Sequence, residues 1–288
     1  CKYADDPTLD TTTDYIIHPA FTANVDLGGG FGNNNGTNDN GISGIWIGKY
    51  EASLANKADG TNIVLSSSTS TDGDLLLSEN PDKTIATRPG YSSWRNITIG
   101  KMYTNALAYS EDLESHMLKN SEWGAVAYLT ESKYGRNGTE IGFSDDGYIT
   151  GGGTDNAYAT TNQLQSTTGN VYGIYDMSGG AYEYVASYYN GSTSLSYGSS
   201  FASQNGSSDK YSTAYTGTSE STAYKYGDAT YETSGWHSDY AYFVYSSNPF
   251  FGRGGRYYDN ASRTGVFCYR DNNGSASDSG SFRVSLVV

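Results

Sequence analysis

Cysteine, proline and long apolar runs are scarce in this sequence of 288 residues. It contains two cysteines, Cys1 and Cys268, and five prolines. Two thiols are too few for a disulfide framework or for the ligand set of a structural zinc site. No apolar run approaches the roughly 20 residues that a helix needs to cross a membrane, so no membrane-spanning segment is predicted.

Positive charge is also scarce. Lys and Arg together number 17, against 31 Asp and Glu, and the formal net charge is −14. A field of this sign repels phosphate backbones, and nucleic acid is therefore not expected as a partner.

The N-terminus has no recognisable signal peptide, and residues 1–14 are predicted to form a tail. Cys1 fits the lipid-bearing first residue of a mature lipoprotein as well as it fits the arbitrary start of a fragment. The sequence leaves both interpretations open, so a lipid anchor at Cys1 stays among the alternatives.

Gly, Ser, Thr, Asn and Tyr make up much of the chain, with 36 Gly and 28 Tyr. Abundant aromatic side chains argue against disorder, because their burial is strongly favourable. Alternating apolar residues predict a strand at 45–51, and helical spacing predicts helices at 99–110 and after Asn120, the predicted N-cap. Beyond Gly135, short strand-like runs alternate with turns and no helix is predicted.

Three segments have a recognisable pattern: KNSEWGAVAYL at 119–129, GNVYGIYDMSGGAYEYV at 169–185, and FGRGGRY with SFRVSLV between 251 and 287. In this order they resemble the helix, the GLYDMSGNVWEW signature and the RGGSW…GFRV ending of the formylglycine-generating-enzyme (sulfatase-modifying factor) family. The resemblance implies an α+β, C-type-lectin-like fold with two helices and a loop-rich, irregular β half. It also implies a single domain at 15–288, with a surface insertion at about 190–240.

The second segment carries structural rather than catalytic signals. Gly179 and Gly180 permit a turn with positive φ, and Glu183, flanked by aromatic residues, is predicted to be a buried carboxylate paired with backbone or Arg. The resemblance implies copper-binding oxidases with two cysteines after the RGG segment, but only Cys268 is present there, and such a site needs both sulfurs. Gly180 also replaces the Asn that helps to coordinate calcium in the family, so no catalytic site and no cofactor are predicted.

One branch of this family is the target proteins of diversity-generating retroelements, in which adenine-directed mutagenesis rewrites a C-terminal stretch. Asn codons rewritten at their adenines encode residues whose codons end in a pyrimidine, and this set lacks Lys, Glu, Gln, Met and Trp. None of these five occurs in residues 253–288. The composition predicts a variable segment at 253–283, with an ordinary Gly/Ser/Asn-rich loop as the alternative.

The variable segment is predicted to combine a buried scaffold with solvent-facing residues. Tyr offers contact area at low entropy cost, Ser and Asn adapt, and Arg offers forked donors. The predicted scaffold is Phe251, Val266, Phe267, Phe282, Val284 and Leu286. The predicted ligand-binding residues are Arg256, Tyr258, Asp259, Asn260, Ser262, Arg263, Cys268, Tyr269, Arg270, Asp271, Asn272, Asn273, Ser275, Ser277, Asp278 and Ser279.

These inferences predict a ligand-binding protein of receptor or adhesion type rather than an enzyme. Its expected partner is a protein or glycan on another cell or virus, and its expected place is extracellular, on a bacterial surface or a phage virion. Two alternatives are left open. One is a copper- or iron-dependent oxidase that uses Cys268, and the other is a structural pilus or surface protein with an ordinary C-terminal loop.

Overall fold

The computed structural model describes residues 17–34, 39–65, 73–201, 207–260 and 262–287. The predicted tail at 1–14 lies outside the described residues. The strands are β1 (Asn33–Asn34), β2 (Asp39–Asn40), β3 (Ile45–Ile47), β4 (Ser53–Asn56), β5 (Lys83–Ala86), β6 (His116–Met117), β7 (Tyr182–Tyr189), β8 (Thr213–Tyr215), β9 (Phe250–Gly254), β10 (Gly265–Asn272), β11 (Gly280–Phe282) and β12 (Val284–Val287). The helices are α1 (Ile99–Leu107), α2 (Asn120–Glu131) and α3 (Glu220–Ala223).

The largest sheet has five strands and is built around β7. Strands β10, β9, β7 and β11 follow one another in that order, and β8 also pairs with β7. β7 pairs with β9 in antiparallel fashion, whereas β11 and β8 run parallel to its first and second halves. A second sheet has the order β3-β12-β6, and β1–β2 and β4–β5 form two-stranded sheets. This mixture of sheets and few helices confirms the predicted α+β class.

Both faces of the five-stranded sheet are buried. Successive β7 side chains point in opposite directions, and each set enters a hydrophobic core. Tyr184 and Tyr188 enter one hydrophobic core, to which α1 contributes Met102. Val185 enters a second core, to which α2 contributes Trp123. The two predicted helices thus cover opposite sides of the sheet. None of the helices within the described ranges has the length and apolar character that a membrane crossing requires.

The predicted N-cap of α2 is wrong by one residue. Lys119 is the N-cap, and its backbone N–H donates to the Glu122 carboxylate, three residues further on, at 2.9 Å. A carboxylate at this third position caps the helix by reaching back to the preceding turn. The other Glu122 oxygen binds the His116 ring at 2.7 Å, and Asn120 instead donates to the Tyr215 hydroxyl at 3.1 Å.

The segment 190–240 differs from the expectation in two ways. It contains α3, a third helix whose four residues are too few to show helical periodicity in the sequence. It also supplies β8, whose three residues are buried and which extends the five-stranded sheet. This part of the predicted surface insertion therefore lies in the core.

Arg283 lies fully buried between β11 and β12 and forms a bidentate ion pair with Glu183 of β7. Its Nε and Nη2 atoms are 3.0 and 2.5 Å from the two carboxylate oxygens. The remaining donors reach the carbonyl oxygens of Gly48, at 2.6 Å, and Tyr175, at 2.8 Å. The predicted pairing of a buried Glu183 with Arg is confirmed, and one guanidinium joins β7, the end of β3 and the segment 169–185.

Two further carboxylates lie beside this ion pair. Asp176 accepts the Gly151 N–H at 2.8 Å, and Glu51 accepts the Ala181 N–H at 3.0 Å. Burial raises the pKa of Glu183 to about 7, against the opposing charge of Arg283. Burial, together with the negative charges of Asp176 and Glu183, raises the pKa of Glu51 well above its usual value. Three buried carboxylates lie around Arg283, so the cluster retains protons that free carboxylates lose.

Replacing Arg283 with Met should destabilise the protein severely. The substitution leaves Glu183 buried without its cation, which costs about 3–5 kcal/mol of unfolding free energy. Urea unfolding measures the loss, with Arg88→Met at an exposed arginine as the control that should stay within about 0.5 kcal/mol of the parent. A loss below about 1 kcal/mol for Arg283→Met would show that the ion pair is not central to the fold.

Replacing Glu51 with Gln should change how stability depends on pH. Because the folded-state pKa of Glu51 is raised, its contribution is fully present below the unfolded pKa and is lost as pH rises through the folded value. Gln cannot ionise, so the variant should gain stability relative to the parent as pH rises from about 5 to about 8. Urea unfolding across this range tests the difference, and Glu111→Gln, at an exposed side chain, is the control. Parallel curves for the parent and Glu51→Gln would refute the prediction.

Candidate recognition surface

The predicted scaffold of the variable segment is buried. Phe251, Phe267 and Phe282 are at most 1% exposed, and Val266 and Val284 are nearly as enclosed. Leu286 is partly buried against the same core as Phe282. Strands β9, β10 and β11 thus carry the segment, and its two loops, 255–264 and 273–279, connect them.

The predicted ligand-binding residues fall into three classes of exposure. Tyr258, Asn260, Ser262, Arg263 and Asn273 are exposed. Arg256, Asp259, Arg270, Asp271, Asn272, Ser275, Ser277 and Asp278 are half-buried. Cys268, Tyr269 and Ser279 are buried. We call the exposed and half-buried residues of 256–263 and 270–278 the C-terminal surface.

The expectation that Cys268, Tyr269 and Ser279 face solvent is wrong. β10 pairs with β9 along one edge, and along the other the backbone of Tyr269 bonds to Tyr240 and Tyr242 at 2.9 and 3.1 Å. Tyr269 also packs in the core that contains Trp123. A strand with partners on both edges and side chains on both faces leaves little of its middle exposed.

The loop 255–264 is held by Arg256. Its guanidinium binds both carboxylate oxygens of Asp259 at 3.0 and 2.8 Å, and the Asp259 carboxylate also accepts the Arg256 backbone N–H. The same guanidinium lies 4.4 Å from the ring centroid of Tyr258 and donates to its hydroxyl at 2.6 Å. Burial alone would lower the pKa of Arg256, but the hydrogen bonds and charge of Asp259 raise it. The exposed ring of Tyr258 is thereby positioned before any ligand arrives.

The two loops of the C-terminal surface meet at Tyr148 and Arg95, which lie outside the variable segment. Tyr257 packs edge-on against Tyr148, with ring centroids 4.6 Å apart, and against Tyr258 at 5.1 Å. Arg95 lies 4.0 Å from the ring centroid of Tyr148 and donates to the Asp278 carbonyl at 2.6 Å. These contacts link the loop 255–264 to the loop 273–279.

Between the loops, Arg270 lies over the ring of Tyr182, with 5.4 Å between the guanidinium and the ring centroid. The Tyr182 hydroxyl accepts a hydrogen bond from Asn272 at 3.0 Å. Gly252 makes room for this stack, because a Cβ atom there would lie 3.0 Å from the Tyr182 ring and 3.4 Å from Arg270. Arg270 and Asn272, both in β10, therefore both contact the Tyr182 side chain of β7.

A strip of exposed tyrosines borders β10 and was not predicted as part of the site. Tyr240, Tyr242 and Tyr245 are 37%, 50% and 38% exposed. The rings of Tyr240 and Tyr242 are parallel within 10°, with centroids 6.3 Å apart, and the Arg263 guanidinium lies 5.9 Å from the Tyr240 ring. The alternation Tyr240-Ala241-Tyr242 suits an extended segment, but three residues are too few to predict a strand. Their position beside β10 depends on long-range pairing that the sequence alone does not specify.

The thiol of Cys268 lies under this surface and donates to the Arg263 carbonyl at 3.3 Å. Burial, with a further contribution from the charge of Asp239, raises its pKa to about 12. The side chain therefore stays a neutral thiol at physiological pH. Within the described ranges, no group of three or more His, Cys, Asp and Glu side chains is arranged to hold a metal ion.

An apolar groove of about 420 Å³ lies elsewhere, between β3 and α2. Trp46 and Leu129 border it and are 67% and 57% exposed. His18 also lines it, and its ring bonds to the Gly227 carbonyl at 2.9 Å. None of the lining residues belongs to the variable segment.

Cys268 should resist thiol reagents in the folded protein. The raised pKa lowers the thiolate fraction on the order of a thousandfold, and the side chain is 1% exposed. The measurement is the rate of reaction with an aromatic disulfide in a Cys1→Ser background, with and without denaturing urea. Slow labelling in buffer and fast labelling in urea are expected. Equal rates would mean that the thiol is open to solvent in the native state.

We compared the chain with models of known protein families and with curated proteins. No family model matches the chain, and no curated protein matches it at a significant level. Any functional assignment therefore depends on the segments and contacts described above.

Proposed function

We propose that the protein is a ligand-binding protein of receptor or adhesion type, whose variable segment is a diversified recognition site on a C-type-lectin-like fold. One observation carries the proposal: 13 of the 16 predicted ligand-binding residues, all of types reachable from rewritten Asn codons, are exposed or half-buried, and they lie between anchors that are buried in the core. A surface of this kind can change its side chains while the strands beneath it keep their packing. Its place on a bacterial surface or phage virion is part of the same proposal.

The chemistry of the C-terminal surface supports binding. Tyr258 and Arg263 are exposed, and these residue types supply much of the binding energy at protein interfaces. The pairing of Arg256 with Asp259 and the packing of Tyr257 on Tyr148 hold the loops before binding. Preorganised loops lose less conformational entropy when a ligand docks.

The oxidase alternative depends on the thiolate of Cys268. This side chain is 1% exposed, and no second cysteine follows residue 254 to complete a site with two thiolates. The binding proposal invokes no metal and no cofactor. DNA sequencing distinguishes the other alternative, a structural surface protein, from the recognition role.

Sequencing the DNA around the gene tests the proposal. We expect a near-identical copy of the codons for residues 250–288, differing mainly at adenines, together with a reverse-transcriptase gene. Related strains should then differ in this protein at residues 256–281, while the codons for 169–185 serve as the control and should stay uncopied. If no copy exists, the segment is an ordinary loop, and a structural surface role replaces the recognition role.

A further inference from the structure

Arginine is concentrated in the variable segment, which holds five of the eight arginines in the chain. Two of the five are buried in the core, and Arg256 is held by Asp259. The remaining two, Arg263 and Arg270, form no salt bridge with any residue in the described parts of the chain. Among the described residues, the C-terminal surface therefore carries two arginines outside any ion pair.

Arg270 is the better placed of the two for binding a ligand. It is half-buried over Tyr182, and its Nε is enclosed without a hydrogen-bond partner among the described residues. Its two Nη groups are not enclosed in this way and form no hydrogen bond to the described chain. The Tyr182 ring, 5.4 Å from the guanidinium, restricts the positions that the side chain can adopt, which lowers the entropy lost when an acceptor binds.

The geometry around Arg270 suits a carboxylate. A guanidinium presents parallel N–H groups whose spacing matches the two oxygens of a carboxylate. The nearby Arg256 is already neutralised by Asp259, so the site offers one unit of positive charge. One unit matches a carboxylate better than the doubly charged phosphates, which are commonly bound by several cations or by a series of backbone N–H groups.

The surroundings of Arg270 favour a protein ligand. Exposed tyrosines extend from Tyr258, on one loop, to Tyr240 and Tyr242 beside β10, with Arg263 over the Tyr240 ring. A broad platform of Tyr and Arg is characteristic of protein-binding surfaces. The net charge of −14 opposes the approach of an acidic ligand, so the local hydrogen bonds to Arg270 have to outweigh this repulsion.

We propose that Arg270 is a carboxylate-binding site and that the ligand is a protein that presents Asp or Glu next to aromatic or apolar contacts. The inference rests on the recognition role proposed above and specifies its chemistry. Arg270 would bind the carboxylate through both Nη groups, while Tyr258 packs against the neighbouring part of the ligand.

Titration of the full chain with defined polymers tests this site. The probes are a random Glu-Tyr copolymer, its Gln-Tyr counterpart and hyaluronan, which is a carboxylated glycan. The Glu-Tyr copolymer should bind more tightly than the other two. Arg270→Gln should weaken its binding about tenfold, equivalent to about 1.4 kcal/mol. Arg88→Gln is the matched control. Arg88 is exposed and, like Arg270, lies near a tyrosine ring, 5.9 Å from that of Tyr91. The substitution removes the same charge.

Three outcomes would overturn the carboxylate site. Equal weakening by Arg270→Gln and Arg88→Gln would indicate a general charge effect, and equal binding of the Glu and Gln polymers would exclude carboxylate recognition. Preferential binding of hyaluronan would indicate that the ligand is a glycan rather than a protein. Thermal unfolding verifies that the variants are folded. If Arg270→Gln unfolds, Arg270→Lys takes its place in the test. Lysine keeps the aliphatic stem over Tyr182 but lacks the forked N–H donors of the guanidinium, so it should also weaken binding.

A second substitution separates this inference from the recognition role. If Tyr258→Ala weakens binding of the copolymer while Arg270→Gln does not, the C-terminal surface binds ligand but the carboxylate site is wrong. If neither substitution has an effect, the carboxylate site is wrong and the recognition role is decided by the sequencing test alone.

Discussion

The ion pair between Arg283 and Glu183 connects elements that are distant in the chain. Arg283 lies between β11 and β12, Glu183 lies in β7, and the other guanidinium donors reach carbonyl groups at the end of β3 and before Asp176. Leaving the donors of a buried guanidinium unpaired costs free energy, so the pairing of Arg283 favours the one arrangement in which these four parts of the chain come together. The five-stranded sheet and the β3-β12-β6 sheet are joined at this point.

This arrangement also determines where the C-terminal surface lies. β11 pairs with β7 immediately before Arg283, and β9 pairs with β7 on the opposite edge. The loops 255–264 and 273–279 start and end in strands that this core holds. Substitutions at the exposed positions Tyr258, Asn260, Ser262, Arg263 and Asn273 change side chains that face solvent, and in the role that we propose these positions are free to vary.

The C-terminal surface is assembled from more of the chain than the variable segment alone. Tyr148 and Arg95 connect its two loops, Tyr182 supports Arg270, and the tyrosine strip borders β10. In the binding role that we propose, the constant residues orient the variable ones. Aromatic rings suit this task because they provide flat, rigid surfaces on which a guanidinium can rest.

The sequence alone determined the α+β class, the two longer helices, the burial of Glu183 with backbone or Arg as its partner, and the positive φ angles of the two glycines in GNVYGIYDMSGGAYEYV, 84° and 70°. These features follow from local patterns: helical spacing, alternation, and the low steric cost of positive φ at glycine. Tertiary structure alone decided that Cys268, Tyr269 and Ser279 are buried and that β8 belongs to the main sheet. It also brought Tyr240 and Tyr242 beside β10. Burial and strand neighbours depend on which distant segments pair, and that choice is made by the packing of the whole chain.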